Sequence, residues 1–115
     1  MPDEEQQHLL NILSDEHART ILQETMNRPM SADELSDACG ISPQSVYRRT
    51  ETLTKHGLLD TEMEYDTEGH HYRTFTADST QIVVDITADD VAVTVTQQEP
   101  MADRLAEFVD HVRDQ

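Results

Sequence analysis

The sequence predicts an α+β chain, on three observations. Apolar residues recur at three- and four-residue spacing through the first half, the period of helices with one buried face. After Gly57 the spacing turns to alternation, around Met63 and Tyr65 and again from Ile82 to Val95, the period of strands with one covered face. Between the two regimes stand two complete helix starts separated by a glycine. Residues 1–115 make one domain, since domains cluster near about 100–150 residues. Folding at that size hides only about 60–70% of the unfolded chain's surface. The core is therefore modest, a subunit contact would supplement it, and a two-domain enzyme is excluded.

Leu9, Leu10, Ile12 and Leu13 form a short helical stripe ending at Ser14. Ser14 is expected to cap the next helix, with Asp15 and Glu16 in its first turn, where carboxylates complement the helix dipole. That second helix carries Ala18, Ile21, Leu22 and Met26 on one face, runs to about Asn27 and stops before Pro29. Ser31 and Glu34 have the spacing of a capping box, which opens a third helix with Leu35, Ala38 and Cys39. Gly40 closes it, as the residue that best takes the left-handed conformation. Ser42-Pro43 is another start, an N-cap with proline at the first helical position, and the fourth helix reaches His56 and Gly57. Two helices joined by a glycine turn across residues 32–56 make a helix-turn-helix pattern.

A hairpin is expected over residues 58–77 with Gly69 at its turn. A second, over residues 80–96, pairs Ile82, Val84 and Ile86 with Val91, Val93 and Val95 across Thr87-Ala88-Asp89-Asp90. A last helix, residues 100–114, carries Met101, Leu105, Phe108, Val109 and Val112 on one stripe. That stripe has no long counterpart in the chain, so it is the expected dimer interface, with the second hairpin packed against it.

The 24 acidic residues outnumber the eight basic ones, for a net charge of −16, which is the wrong sign for an ordinary nucleic-acid or anionic-membrane binder. Seven of the eight cations are Arg, and Lys55 is the only Lys. This balance resembles the acidic proteins of salt-accumulating haloarchaea, whose carboxylate surfaces keep them soluble in molar salt. Cys39 is the only cysteine, which excludes an internal disulfide and any paired-cysteine zinc site. The start of the chain lacks a signal-peptide pattern and no run approaches about 18 apolar residues, so a cytoplasmic protein without membrane contact is expected.

Each of the three glycines has a turn to serve, which leaves none for a phosphate-cradling loop. No nucleophile elbow is present either, and no enzyme is expected. The informative signal is where acids are missing. Residues 38–59 hold Arg48, Arg49 and Lys55 against Glu51 alone, a local balance of +2, while the other 93 residues carry 23 acids and five bases. A segment that meets phosphate would shed carboxylates in this way.

On these features residues 9–77 resemble a winged helix-turn-helix domain of the ArsR-like type common among haloarchaeal transcriptional regulators. The resemblance runs through Leu13-Ser14-Asp15-Glu16-His17-Ala18-Arg19-Thr20-Ile21-Leu22, Ser31 to Leu35, Gly40-Ile41-Ser42, and Val46 to Leu59 with His56-Gly57-Leu58-Leu59. It implies an α+β winged helix-turn-helix with an extra β-hairpin and a C-terminal dimerisation helix. It also implies that the fourth helix enters the major groove of double-stranded DNA and that residues 58–77 are the wing.

The residues sort accordingly. Val46, Thr50 and Leu53 share an inward face, which turns Gln44, Ser45, Tyr47, Arg48 and Glu51 outward. Gln44, Ser45 and Arg48 are the expected base-reading residues, and Tyr47 is expected on phosphate or a thymine methyl. Ser42 and Lys55 suit backbone contacts, Arg49 lies on the border between faces, and His70, His71 and Arg73 stand near the wing tip. In molar salt the Debye length is about 3 Å, so distant carboxylates scarcely oppose such contacts.

Cys39 reads as a packing thiol at a helix C-terminus, with a redox-sensing regulator as the alternative. His111 with Asp103, Glu107 or Asp110 reads as a solvated face, and adjacent His70 and His71 make a poor chelate. No metal or cofactor is expected, and the sequence names no effector. The expectation is therefore a homodimeric, sequence-specific regulator on a roughly palindromic operator. A winged-helix module that docks on a protein of the transcription machinery is the other alternative.

Overall fold

The structure, a computed structural model, describes residues 3–97. The expected helix over residues 100–114, with Met101, Leu105, Phe108, Val109 and Val112, lies outside the described residues. The architecture is α+β, with the helix-turn-helix and two hairpins that the sequence predicts. Its elements run α1 (Glu4–Ser14), α2 (Glu16–Asn27), β1 (Met30–Ser31), α3 (Ala32–Cys39), α4 (Pro43–Lys55), β2 (Asp60–Tyr65), β3 (His71–Thr76), β4 (Thr80–Ile86) and β5 (Val91–Gln97).

Local chemistry explains most boundaries. Asp3 caps α1 in a capping box with Gln6, an earlier start than the apolar stripe indicates. The cap of α2 is Asp15, not Ser14: its carboxylate accepts from the N–H groups of His17 (3.0 Å) and Ala18 (3.4 Å). Ser14 instead remains in α1 and donates its hydroxyl to the Asn11 carbonyl. Both residue types cap well, and the single extended residue between the two helices is Asp15 (φ −90°, ψ 109°). Ser31 and Glu34 close their capping box on α3, and Gly40 ends that helix at φ 68°. Ser42 caps α4, Pro43 stands in its first turn, and past Gly57 the Leu58 N–H returns to the Leu53 carbonyl at 2.9 Å.

The core lies where the inner faces of the helices meet. Ile21, Leu35, Val46, Leu53 and Leu58 are fully buried, joined by Ile12, Met30 and Phe75. The buried hydroxyls of Thr25 and Thr50 are satisfied within their own helices, by the carbonyls of Ile21 (2.7 Å) and Tyr47 (3.1 Å). Leu58 and Leu59 are both buried before β2 begins and belong to this core, not to a strand with one open face.

Two antiparallel sheets follow. The first has the order β1-β3-β2, with Met30 opposite Phe75 and Ser31 opposite Thr74. The two-residue strand β1 was not expected from the sequence, and it fixes the hairpin to the start of α3. The second sheet pairs Ile82 with Val95, Val84 with Val93 and Ile86 with Val91. Directly opposed residues share a face, so six Val and Ile side chains stand on one side of it. Val93 is buried where β5 meets α1, whereas Ile86 at the tip is 76% exposed.

Candidate nucleic-acid interface

Val46, Thr50 and Leu53 anchor one side of α4, and the helical period sends the opposite side to solvent. Gln44, Tyr47, Arg48 and Glu51 are exposed there. Ser42 is exposed too, but its hydroxyl oxygen already accepts the Ser45 N–H as the helix cap. Ser45 is half-buried, with its own hydroxyl 3.1 Å from that of Ser42. The first turn of α4 is therefore rigid, with Gln44 and Arg48 projecting from it.

Arg49 goes the other way. Its Nε donates to the Asp15 carboxylate at 2.9 Å and its Nη1 to the Ser45 carbonyl at 3.2 Å, leaving the side chain only 16% exposed. Burial alone would raise the Asp15 carboxyl, but the Arg49 hydrogen bond, the Ala18 and His17 N–H groups and the Arg49 charge together hold it below its ordinary value. This pair locks α4 onto the start of α2.

The remaining cations separate by their partners. Arg28 pairs with Glu34 at 2.7 Å, and Arg19 donates to the Leu13 carbonyl at 2.6 Å. Arg48, Lys55 and Arg73 make no ion pair among the described residues. All three border α4. Arg73 reaches it from β3, lining a cleft with Tyr47, Glu51, Lys55 and Thr61. On the opposite flank Arg48 and Lys55 share a groove of about 360 Å³ with His8, Asn11 and His56, where the two imidazole rings meet edge-on at 5.7 Å. Only the packing of α1 brings His8 and Asn11 there, and no spacing in the sequence signals it.

The three residues expected near the hairpin tip part company. His70 lies in the turn, where its Nδ1 is 3.1 Å from Asp66 and 3.6 Å from Glu68. Asp66 also accepts the backbone N–H of His70 at 2.8 Å and of Glu68 at 2.9 Å. That backbone bond from His70, then its ring and the N–H groups of Glu68 and Gly69, outweigh partial desolvation and keep the carboxyl below its ordinary range. The tip is thus rich in carboxylate. His71 opens β3 with its ring 4.4 Å from that of Tyr65, and Arg73 lies further down the strand.

Cys39 is half-buried and packs against the core. Burial, then the nearby Glu24 carboxylate, push its thiol up, and Arg49 only partly opposes them. Among the described residues no three His, Cys, Asp or Glu side chains converge as a metal site, and no helix is long and apolar enough to cross a membrane.

A paired-helix motif with a rigid second helix, unpaired cations on both flanks and a hairpin beside it places the structure among helix-turn-helix folds. Residues 13–62 match the family model described as a helix-turn-helix domain. The fold is similar to the crystal structure of NolR from Sinorhizobium fredii, with a TM-score of 0.52 over 66% of this chain and 71% of that one, at 16% identity. No curated protein matches the chain by sequence.

Proposed function

We propose that the protein is a sequence-specific transcriptional regulator that binds double-stranded DNA through α4, with the β2–β3 hairpin as its wing. The reading rests on one observation above all: the exposed side of α4 carries Gln44, Tyr47 and an Arg48 without an ion pair among the described residues, on a helix pinned from behind. Gln44 and Arg48 read base edges in the major groove, with Ser45 beside them. Tyr47 and Lys55 contact the backbone, and the exposed Ser42 lies near a phosphate. Arg49 acts as a positioning residue, since its guanidinium is committed to Asp15. Arg73 and His71 extend the interface along the wing, whereas His70 stays with Asp66.

The net charge of −16 does not oppose this reading in a salt-rich cytoplasm. Molar salt shortens the reach of the distant carboxylates to about 3 Å and also removes most of the counterion-release drive, so contacts decide affinity. The working form is a homodimer joined through residues 100–114, and it reads a palindromic operator with half-sites about one helical turn apart.

Operator selection from random duplexes in molar KCl, followed by titration of Arg48→Ala, tests the proposal. The substitution weakens the selected operator by about 1–3 kcal/mol, the value of one good base contact. Unchanged affinity, or selection of no common sequence, overturns the reading in favour of a protein-docking module.

A further inference from the structure

The chain has three tyrosines and no tryptophan, and all three tyrosines are exposed, one on α4 and two on the β2–β3 hairpin. Tyr47 is 52%, Tyr72 44% and Tyr65 64% exposed, and Met63 beside them is 51% exposed. Aromatic residues so few in number would ordinarily be spent on the core. Here Tyr47 and Tyr72 line a cavity between α4 and the β2–β3 hairpin together with Met63, His71 and Arg73, and Tyr65 borders it through its ring contact with His71.

The register explains how the surface forms. Thr61 faces Phe75, Met63 faces Arg73 and Tyr65 faces His71, so these pairs share one face of the hairpin. That face begins in the core at Phe75 and continues outward as methionine, arginine, imidazole and phenol. The acids of β2, Asp60, Glu62 and Glu64, alternate onto the other face, and Tyr72, opposite Glu64, goes with them, so Tyr65 and Tyr47 supply the rings on the Met63–Arg73 side. Asp33 is the carboxylate on the cavity's rim. It disfavours a phosphate there but accepts a hydrogen bond from a base amino group.

From this arrangement we infer that the groove is a stacking platform for an unpaired nucleobase, so that the protein also holds single-stranded DNA beside its duplex site. Flat rings take the faces of a base, the Arg73 guanidinium adds a stacking cation, and Asp33 meets an exocyclic amino group. Stacking does not depend on counterion release, which suits a chain of net charge −16. The inference builds on the DNA-binding reading through Tyr47, His71 and Arg73, which belong to both surfaces.

Tyrosine emission reports on this groove, because no tryptophan masks it. The full-length protein in molar KCl is titrated with oligodeoxycytidine of about 12 nucleotides and, separately, with the selected duplex. The oligonucleotide is expected to quench the emission after correction for absorption. Tyr65→Ala weakens that binding about 10-fold, the loss of one base–aromatic stack, while Tyr65→Phe, followed through the other two tyrosines, retains it. Arg48→Ala weakens the duplex but keeps the quenching by the oligonucleotide, so failure of either site is seen separately. Quenching by duplex alone, no quenching by any nucleic acid, or an unchanged affinity in Tyr65→Ala each overturns the inference.

Discussion

A guanidinium one step from the solvent side of a helix can face outward or fold back, and for Arg49 the carboxylate of Asp15 decides. The partner is 34 residues earlier in the chain, so no local pattern reveals it. Asp15 serves both as the α2 cap and as that partner. Asp15→Ala is therefore expected to cost at least about 1 kcal/mol for the cap, and more because Arg49 is left half-buried without its carboxylate. In a domain of this size that lowers Tm by roughly 4–8 °C per kcal/mol. The Asp15 carboxyl titrates below its ordinary value in the folded protein, so its contribution is complete above the unfolded value and fades as pH falls through the folded one. Thermal unfolding of Asp15→Asn measured from pH 7 downward should show the gap to wild type narrowing in acid. Cys39 carries a different expectation. Burial and Glu24 hold its thiol protonated, so a thiol reagent at neutral pH should react more slowly than with a free peptide cysteine. Equal rates would mean that the residue is open.

Among the elements, those with local signals were legible in the sequence. Ser31 with Glu34, Gly40, and Ser42 with Pro43 mark the ends of α3 and α4 through bonds made within a few residues, and the alternation of β4 and β5 states their pairing directly. β1 was not legible because two residues have no period, and their strand exists only by pairing with β3. The choice of Asp15 over Ser14 was hidden for another reason: both side chains offer the same oxygen at nearly the same place. Alternation also told which face of the β4–β5 hairpin is apolar, but not what covers it. Residues at the base of that face, Val93 above all, meet α1. Val93→Asp is expected to detach the hairpin and speed amide exchange in β4 and β5 while α3 and α4 keep their protection; uniform acceleration would place the hairpin inside the global unfolding unit. Gly40 lies at φ 68° with open space around its α-carbon, so Gly40→Ala costs about 1 kcal/mol through backbone conformation alone, read as a lower denaturation midpoint. As for the candidate interface, the outward set on α4 was legible from helical period, whereas the clustering of Met63, Tyr65, His71 and Arg73 was not, because strand alternation needs a register to become a surface.

At the scale of the whole molecule, charge and assembly govern behaviour. A cationic flank on α4 within a chain of net charge −16 gives contacts whose strength changes little once salt is already high. Operator affinity measured between 1 and 3 M KCl should therefore fall far less steeply than the slope of about −0.9 per phosphate contact seen with basic proteins. Light scattering of the full chain and of a form ending at Gln97 tests the proposed dimer, with two copies expected for the first and one for the second. One structural detail bears on how force passes through such an assembly. Ser31 is both the last residue of β1 and the cap of α3. The link between hairpin and motif is short there: a displacement of β3 reaches the first turn of α3 directly through Ser31, beside the contacts β3 makes with α2 and α3. A small molecule that prises Met30 away from Phe75 would loosen the motif from behind, without ever touching the exposed side chains of α4 proposed to read DNA.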